Sequence, residues 1–405
     1  MGAKPSSIAL LFTTFPKTSE TFLQREVAAL LSHGLDLRLY SLWGGGGEFR
    51  GLPVRTFNKW LLVPLFLFII PWNCLRRPRI VRDLFEGLCR RRPPSWLNFW
   101  ENMLGAGFAG CFYREFRRDP PALIYGAWAG APATAGWLLW RILGLPYGCG
   151  AHAYDLYEHG GDWWLAEKLH HARFVHTSTE GGRRELVARG VAPGKIRVIR
   201  RGLVEFPKLK PLRRERRPLR LVCVARLVPK KGLDRQMAVY AALREAGVPF
   251  EARIAGAGPL RTSLEVLIAQ FGIGTEVRLL GELPQEEVWR QLEWADVLLH
   301  TGVVAPSGDR DGLPNVIPEA MAAGVMVVTS PVSAATEAVR HEQTGLVAEA
   351  HDPGAWVAVL QRLASDDALA GRLRENARRW TEGNYEARRN TAQLVKCFEE
   401  VLRQS

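Results

Sequence analysis

Twice along the chain a continuous apolar stretch runs into a turn and then into helical spacing. No other feature limits the fold as much. Ser7 to Phe15 is apolar and β-prone throughout, as a strand buried on both faces of a parallel sheet has to be. A Pro/Ser/Thr turn follows over 15–21. Apolar residues then recur at Phe22, Val27, Leu30 and Leu31 up to Gly34, the spacing and stop signal of a helix. Leu35 to Leu42 reads as the next strand. Leu219 to Ala225 begins the series again, with a turn after it and a helix from about Asp234. Strand, loop, helix and strand, played twice, predict an α/β protein of two doubly wound domains. The 405 residues are more than one ordinary core accommodates.

The boundary falls at 207–218, where three prolines stand among lysines and arginines. This stretch reads as an exposed linker between a domain over 1–206 and one over 219–385, with helical patterning continuing through 386–405. Charge divides along the same line. Residues 1–220 hold 34 Lys/Arg against 17 Asp/Glu, whereas the remainder is slightly acidic and the chain totals +13. A basic N-terminal half suits an anionic partner, although a solvated arginine surface would look the same. No aromatics interleave with the linker's cations, so the sequence carries no signal for nucleic-acid stacking. Six scattered cysteines form no C-x-x-C pair and no metal spacing, which predicts reduced thiols, and with the absence of a signal peptide a cytoplasmic chain.

A helical insert is expected over 59–118. Within it Trp60 to Trp72 is thirteen residues of almost unbroken apolar sequence, interrupted by Pro64 and Pro71. That is too short to cross a bilayer, which takes roughly 20 residues. Trp at both ends, Lys59 before it and Arg76, Arg77, Arg79 and Arg82 after it match a segment lying on an anionic membrane. A buried core helix is the alternative.

The densest chemistry lies in 308–324, Gly-Asp-Arg-Asp-Gly-Leu-Pro-Asn-Val-Ile-Pro-Glu-Ala-Met-Ala-Ala-Gly. Pro318 belongs in the first turn of a helix, which puts the start near Asn315 as N-cap and the stop at Gly324. Asp311 then precedes the helix and Glu319 lies just inside it, with seven residues between them. The helix N-terminus suits an anion such as a diphosphate, flanked by two carboxylates able to accept hydrogen bonds from hydroxyls. Upstream, Arg226 and Lys231 bracket a strand–loop–helix turn and would converge on the same anion. Lys230 competes with Lys231 for that role. Phe250 to Ala255 ends in Gly256-Ala257-Gly258, and Val277 to Leu280 leads to Gly281-Glu282-Leu283-Pro284. In the first domain, His152 ends a strand that starts at Tyr147, where ligands collect in α/β domains.

The 311–324 stretch resembles the signature of glycosyltransferase family 4, the retaining GT-B enzymes that use sugar nucleotides. There two glutamates frame the loop and helix start. Here Asp311 stands for the first, with the carboxylate drawn back by one methylene. The turn 225–232 is similar to that family's Gly-Arg…Lys-Gly element, with Ala225 for the Gly. The stretch 15–22 resembles the opening of its exopolysaccharide and colanic-acid branch. The resemblance implies the GT-B fold, two Rossmann-like domains facing a central cleft, with the last helix, 386–405, crossing back to the first. It implies that Glu319 binds the ribose and Asp311 the donor sugar. Arg226, Lys231 and the backbone of Gly312, Leu313, Pro314 and Asn315 would take the diphosphate. Gly256, Gly258 and Leu283 would line the nucleotide, Ser19 and Glu20 the cleft, and His152 the reacting sugar. The activity implied is retaining transfer of a hexose from a UDP- or GDP-type sugar to a lipid-linked or glycan acceptor. No cofactor and no metal would be needed, so Asp309-Arg310-Asp311 is not read as a metal site. A sugar-nucleotide epimerase of the same fold and a non-catalytic membrane-binding module are the competing functions.

Overall fold

A computed structural model of the chain describes residues 7–17, 20–76, 78, 82, 86, 92–213, 217–332 and 334–404. It divides into two units, Met1–Arg200 with Ala387–Ser405, and Arg201–Glu386.

In the first unit, β1 (Ile8–Phe12), β2 (Leu37–Ser41), β3 (Gly47–Phe49), β4 (Leu52–Arg55), β5 (Leu123–Gly126), β6 (Tyr147–Gly150), β7 (Val175–Thr177) and β8 (Ile196–Val198) form one sheet in the order β3-β4-β2-β1-β5-β6-β7-β8. Every pairing is parallel except β3 with β4. All five residues of β1 are buried, because helices cover both faces of a doubly wound sheet. On one side lie α1 (Thr21–Ser32) and the C-terminal helix, whose Leu394, Phe398 and Val401 share a core with Leu10, Val27, Leu30 and Tyr125. On the other, α2 (Trp96–Arg118) and α3 (Ala131–Leu143) cross so closely that a Cβ on Gly105 would stand 2.3 Å from the Ala131 carbonyl oxygen. Buried Lys168 and Asp162 pair beneath them; Asn102 bonds both, and Thr134 accepts from Lys168 and donates to Asn102.

In the second unit, β9 (Leu219–Val224), β10 (Phe250–Ala255), β11 (Val277–Gly281), β12 (Val297–His300), β13 (Met326–Thr329) and β14 (Leu346–Val347) lie in the order β11-β10-β9-β12-β13-β14, all parallel. Counted from β9 this is 3-2-1-4-5-6, the Rossmann order, with its topological switch between β9 and β12. The helices α4 (Leu233–Glu245), α5 (Val316–Ala323) and α6 (Asp367–Asn384) help to cover the sheet. The terminal helix, α7 (Ala387–Gln404), returns to the first unit as described.

Three local expectations are corrected. Residues 207–213 do not stand free as a linker. Lys210 places its ammonium on the carbonyl oxygens of Leu292, Glu293 and Ala295, the C-terminal end of the helix Gln285–Trp294, where the helix dipole favours a cation. Arg213 pairs with Asp296. Two of the cations that look like a solvated tail, Lys210 and Arg213, are thus held by the second unit. Asn315 does precede α5, but its own backbone is helical and its side chain caps no N–H; Oδ1 accepts from the Tyr385 hydroxyl instead. Finally, 60–72 is neither a core helix nor one regular helix. It belongs to a run of 3-10, α, π and α turns from Lys59 to Arg76.

Candidate functional site

The switch point between β9 and β12 gathers most of the residues singled out above. Gly232, which opens α4, has φ +59°, and a Cβ there would lie 2.1 Å from the Thr301 carbonyl oxygen. Only a glycine lets the turn after β9 pass so close to the end of β12. Thr301 Oγ1 fastens the two by donating to the Lys231 carbonyl at 3.1 Å, and the Val303 amide donates to the Lys230 carbonyl at 2.9 Å. Against this turn folds the loop that leads to α5. Lys231 Nζ stands 2.6 Å from Asp311 Oδ2. Lys230 Nζ is 2.8 Å from Asp309 Oδ2 and 3.7 Å from Asp311 Oδ1. His300, the last residue of β12, sets Nε2 3.4 Å from Asp311 Oδ2 while Nδ1 meets Thr329 Oγ1 at 2.9 Å.

Burial by itself would push the Asp311 carboxyl up, but the Lys231 ammonium, His300 and Lys230 together hold it well below the usual carboxylate range. Asp311 is thus an ionised acceptor on a nearly enclosed wall. Glu319 lies in the first turn of α5 and is buried, 5% exposed. Leu313 and Val316 rest on the core under that helix, and Leu283 from the loop after β11 packs on the same cluster.

The glycines of the second loop have a steric reason. Gly256 has φ +145°, and a Cβ on it would fall 1.8 Å from the Ala225 carbonyl oxygen; Gly258 has φ +157° and leaves 2.5 Å to the Leu227 carbonyl oxygen. The Leu227 amide donates to the Ala257 carbonyl at 2.9 Å, and the Gly256 amide to that of Gly281 at 2.7 Å. Loops after β9, β10 and β11 therefore lie backbone to backbone. Arg226, at the end of β9, is exposed.

A second group forms in the other unit. His152 follows β6 and is buried; its amide donates to Asp155 Oδ1 at 2.9 Å, while Asp155 Oδ2 accepts from the Ala129 amide at 3.0 Å. One carboxylate so ties the loops after β5 and β6 together. The His152 ring meets Trp128 and His176 edge-on, with centroids 5.3 and 5.0 Å apart. Phe22 of α1 also meets Trp128 edge-on. Glu20, just before α1, is half-buried and pairs with Lys17 at 2.8 Å. Ser19 lies outside the described residues.

His300, Lys230, Asp155 and Tyr385 are the contributors that sequence reasoning missed or undervalued. His300 carries the signal that singled out His152, a histidine ending a buried strand. In the sequence Lys230 looks like a rival of Lys231, whereas both ammoniums face the acidic loop. Asp155 stands three positions after His152, a spacing visible in the sequence, whereas Tyr385 has no local signature.

Comparison with known proteins gives the family of the chain. A family model described as "Glycosyl transferases group 1" matches residues 207–380, and one described as "Glycosyltransferase Family 4" matches 19–204. The colanic acid biosynthesis glycosyltransferase WcaL of Salmonella typhimurium is 33% identical over 389 residues, 89% of this chain and 91% of that protein. The chain belongs to glycosyltransferase family 4. This family-4 glycosyltransferase is also 38% identical over 185 residues to the amylovoran biosynthesis glycosyltransferase AmsK of Erwinia amylovora; that match spans 45% of this chain and about half, 46%, of AmsK. Among solved structures, HepE of Anabaena in complex with UDP superposes with a TM-score of 0.70 over 97% of this chain and 100% of its own, at 15% identity. That likeness supports the GT-B fold, two parallel-sheet Rossmann-like units, for the family-4 chain.

Proposed function

We propose that this glycosyltransferase moves a hexosyl group, with retention, from a nucleoside diphosphate sugar to a hydroxyl of a lipid-linked or surface-polysaccharide glycan, and that it does so without a metal. The observation carrying the reading is the cluster at the start of α5, where Lys230, Lys231 and His300 surround Asp309 and Asp311. Two ammoniums stand where a metal reading of the Asp-x-Asp pair would need a cation. Lys231 has further N–H groups beyond the one on Asp311, and exposed Arg226 follows the carboxyl end of β9, in the same turn as Lys231. Together with the amides of Gly312, Leu313 and Asn315 they supply what a departing diphosphate requires, fixed positive charge where negative charge develops. Buried Glu319 is assigned to the ribose hydroxyls and Asp311 to the donor sugar. Gly256, Gly258 and Leu283 would line the base and ribose. His152, with Glu20, is assigned to orienting the transferred sugar, on its burial and its place at a strand end.

In the reaction the acceptor oxygen forms its bond to the anomeric carbon as the bond to the phosphate oxygen breaks. The acceptor's proton passes to the departing phosphate on the same face, so the configuration is kept. UDP is the first nucleotide to try, because HepE, of the same fold, is a UDP complex. The polysaccharide assignment rests on the names of WcaL and AmsK.

The test is a panel of UDP- and GDP-sugars incubated in EDTA with and without an alkyl glycoside acceptor. Transfer that preserves the donor's anomeric configuration supports the reading. A new sugar epimer formed without acceptor, or turnover only after manganese is restored, would sink it.

A further inference from the structure

The run from Lys59 to Arg76 carries most of its described apolar side chains on the outside. Trp60, Leu67, Phe68 and Leu75 are 79%, 63%, 69% and 80% exposed, and Leu61, Val63, Phe66 and Trp72 are exposed as well. Among its described side chains only Leu65 is buried. The anchorage is narrow. Leu65 and Leu62 sit over Gly110 and Gly107 of α2, where an added Cβ would come within 2.6 Å of their δ-methyls. The π-turn Leu65–Ile69 sends successive Phe66, Leu67 and Phe68 away from this notch together. The first turns of α2 contribute Trp96, Leu97 and Trp100, all exposed, with Trp96 stacked on Phe99 and edge-on to Trp100.

Of the seventeen large apolar side chains exposed among the described residues, eleven lie between Trp60 and Trp100. Such a concentration is foreign to a surface facing only water. Exposed apolar side chains gathered this densely need an apolar medium around them. Yet among the described residues no helix is long and apolar enough to cross a membrane.

Charge indicates what covers the face. Between Trp60 and Trp100 the sequence has seven arginines against Asp83 and Glu86. The Arg76 guanidinium lies over the Trp72 ring at 4.4 Å, a cation and an amphipathic ring at one level, as at a headgroup layer. A second copy of the chain would bring the same excess of arginine in this stretch to the contact. An anionic surface would neutralise them.

We infer that the Trp60–Arg76 run, with Trp96, Leu97 and Trp100 of α2, lies in the headgroup layer of an anionic phospholipid bilayer as a monotopic contact. This goes beyond the transfer reaction and does not depend on it. Where the acceptor is lipid-linked, the contact also brings the enzyme to it. Insertion comes from the aromatic and aliphatic side chains, and the arginines add a salt-sensitive attraction.

The test is co-sedimentation of the full chain with phosphatidylglycerol-containing or pure phosphatidylcholine vesicles at low and high salt. The variant carries Trp60→Ser, Phe68→Ser and Leu75→Ser together. All three side chains are exposed, so its thermal midpoint and its response to UDP should match wild type. Wild type is expected to partition to the anionic vesicles about tenfold more strongly than to neutral ones, less so at high salt, and the variant to lose about tenfold. Wild type left in the supernatant with anionic vesicles at low salt, or a variant that binds equally well, overturns the inference. So does self-association that the variant abolishes without any vesicle binding, which would make the face a contact between copies. UDP binding is read separately in the same samples, so failure of the membrane contact and failure of the nucleotide reading stay distinguishable.

Discussion

Lys231 Nζ and Asp311 Oδ2 stand 2.6 Å apart, both nearly enclosed, joining the turn after β9 to the loop before α5. The family resemblance implies separate ligands for them; the structure makes them partners. Replacing Lys231 by Met leaves the carboxylate with His300 and Lys230 only. Breaking a largely buried pair from one side costs about 3 kcal/mol. The sign with pH follows from a depressed carboxylate: its stabilisation is present above the unfolded pKa and is lost as pH falls through the lower folded one. Lys231→Met should therefore be less stable at neutral pH and nearer to wild type in strong acid. Urea denaturation across the acid range checks it, and a gap that does not narrow would refute the pairing.

Arg226 offers the contrast, being exposed at the end of β9. Arg226→Ala is expected to change stability by less than about 0.5 kcal/mol. If the guanidinium meets the diphosphate, the variant loses affinity for UDP by about tenfold, roughly the worth of one charge-assisted contact, and loses little for uridine. Equal losses for UDP and uridine would move Arg226 away from the phosphates. Parallel titrations decide between the two.

Asp155 gives a pH signature in the other unit. Burial raises its carboxyl to about 6, only partly offset by the Ala129 and His152 amides. For a raised carboxyl the stabilisation is complete below the unfolded pKa and is lost as pH rises through about 6. Asp155→Asn does not titrate, and its amide can accept through one oxygen only. The variant should be the less stable protein at about pH 4, with the gap closing by on the order of 3 kcal/mol towards neutrality. Glu101, also raised by burial, to about 7, is common to both proteins and cancels. Thermal midpoints across that range supply the comparison.

What was legible in the sequence was what local chemistry dictates. The buried parallel strands show as apolar runs, and the glycines at 256 and 258 mark a loop whose meaning is the 1.8 Å and 2.5 Å approaches that any Cβ would make. Asp311 and Glu319 could be placed on loop and helix because Pro318 fixes the first turn and Gly324 the end. Partnerships across long sequence gaps were not legible. Lys230 meets Asp309 and Lys231 meets Asp311 some eighty positions away, and periodicity says nothing about such pairs. Asn315 looks like an N-cap, but the Tyr385 hydroxyl takes its oxygen, a tertiary contact overriding a local preference. Residues 207–213 read as solvated because cations usually are, whereas Lys210 finds helix-end carbonyls to neutralise and burial lowers its ammonium to about 8. The Trp60–Arg76 run was ambiguous because an apolar segment looks alike whether a core or a membrane covers it.

The central claim is that the cluster at the start of α5 binds a nucleoside diphosphate without a metal, Glu319 holding the part common to every donor. Calorimetric titration of UDP in EDTA into wild type, Glu319→Ala and Asp311→Asn tests it most directly. The account predicts saturable binding to wild type, affinity at least about tenfold weaker for Glu319→Ala, and a smaller loss for Asp311→Asn, whose partner is the sugar absent from UDP. Binding that appears only when manganese is added, or equal affinities for wild type and Glu319→Ala, would contradict it.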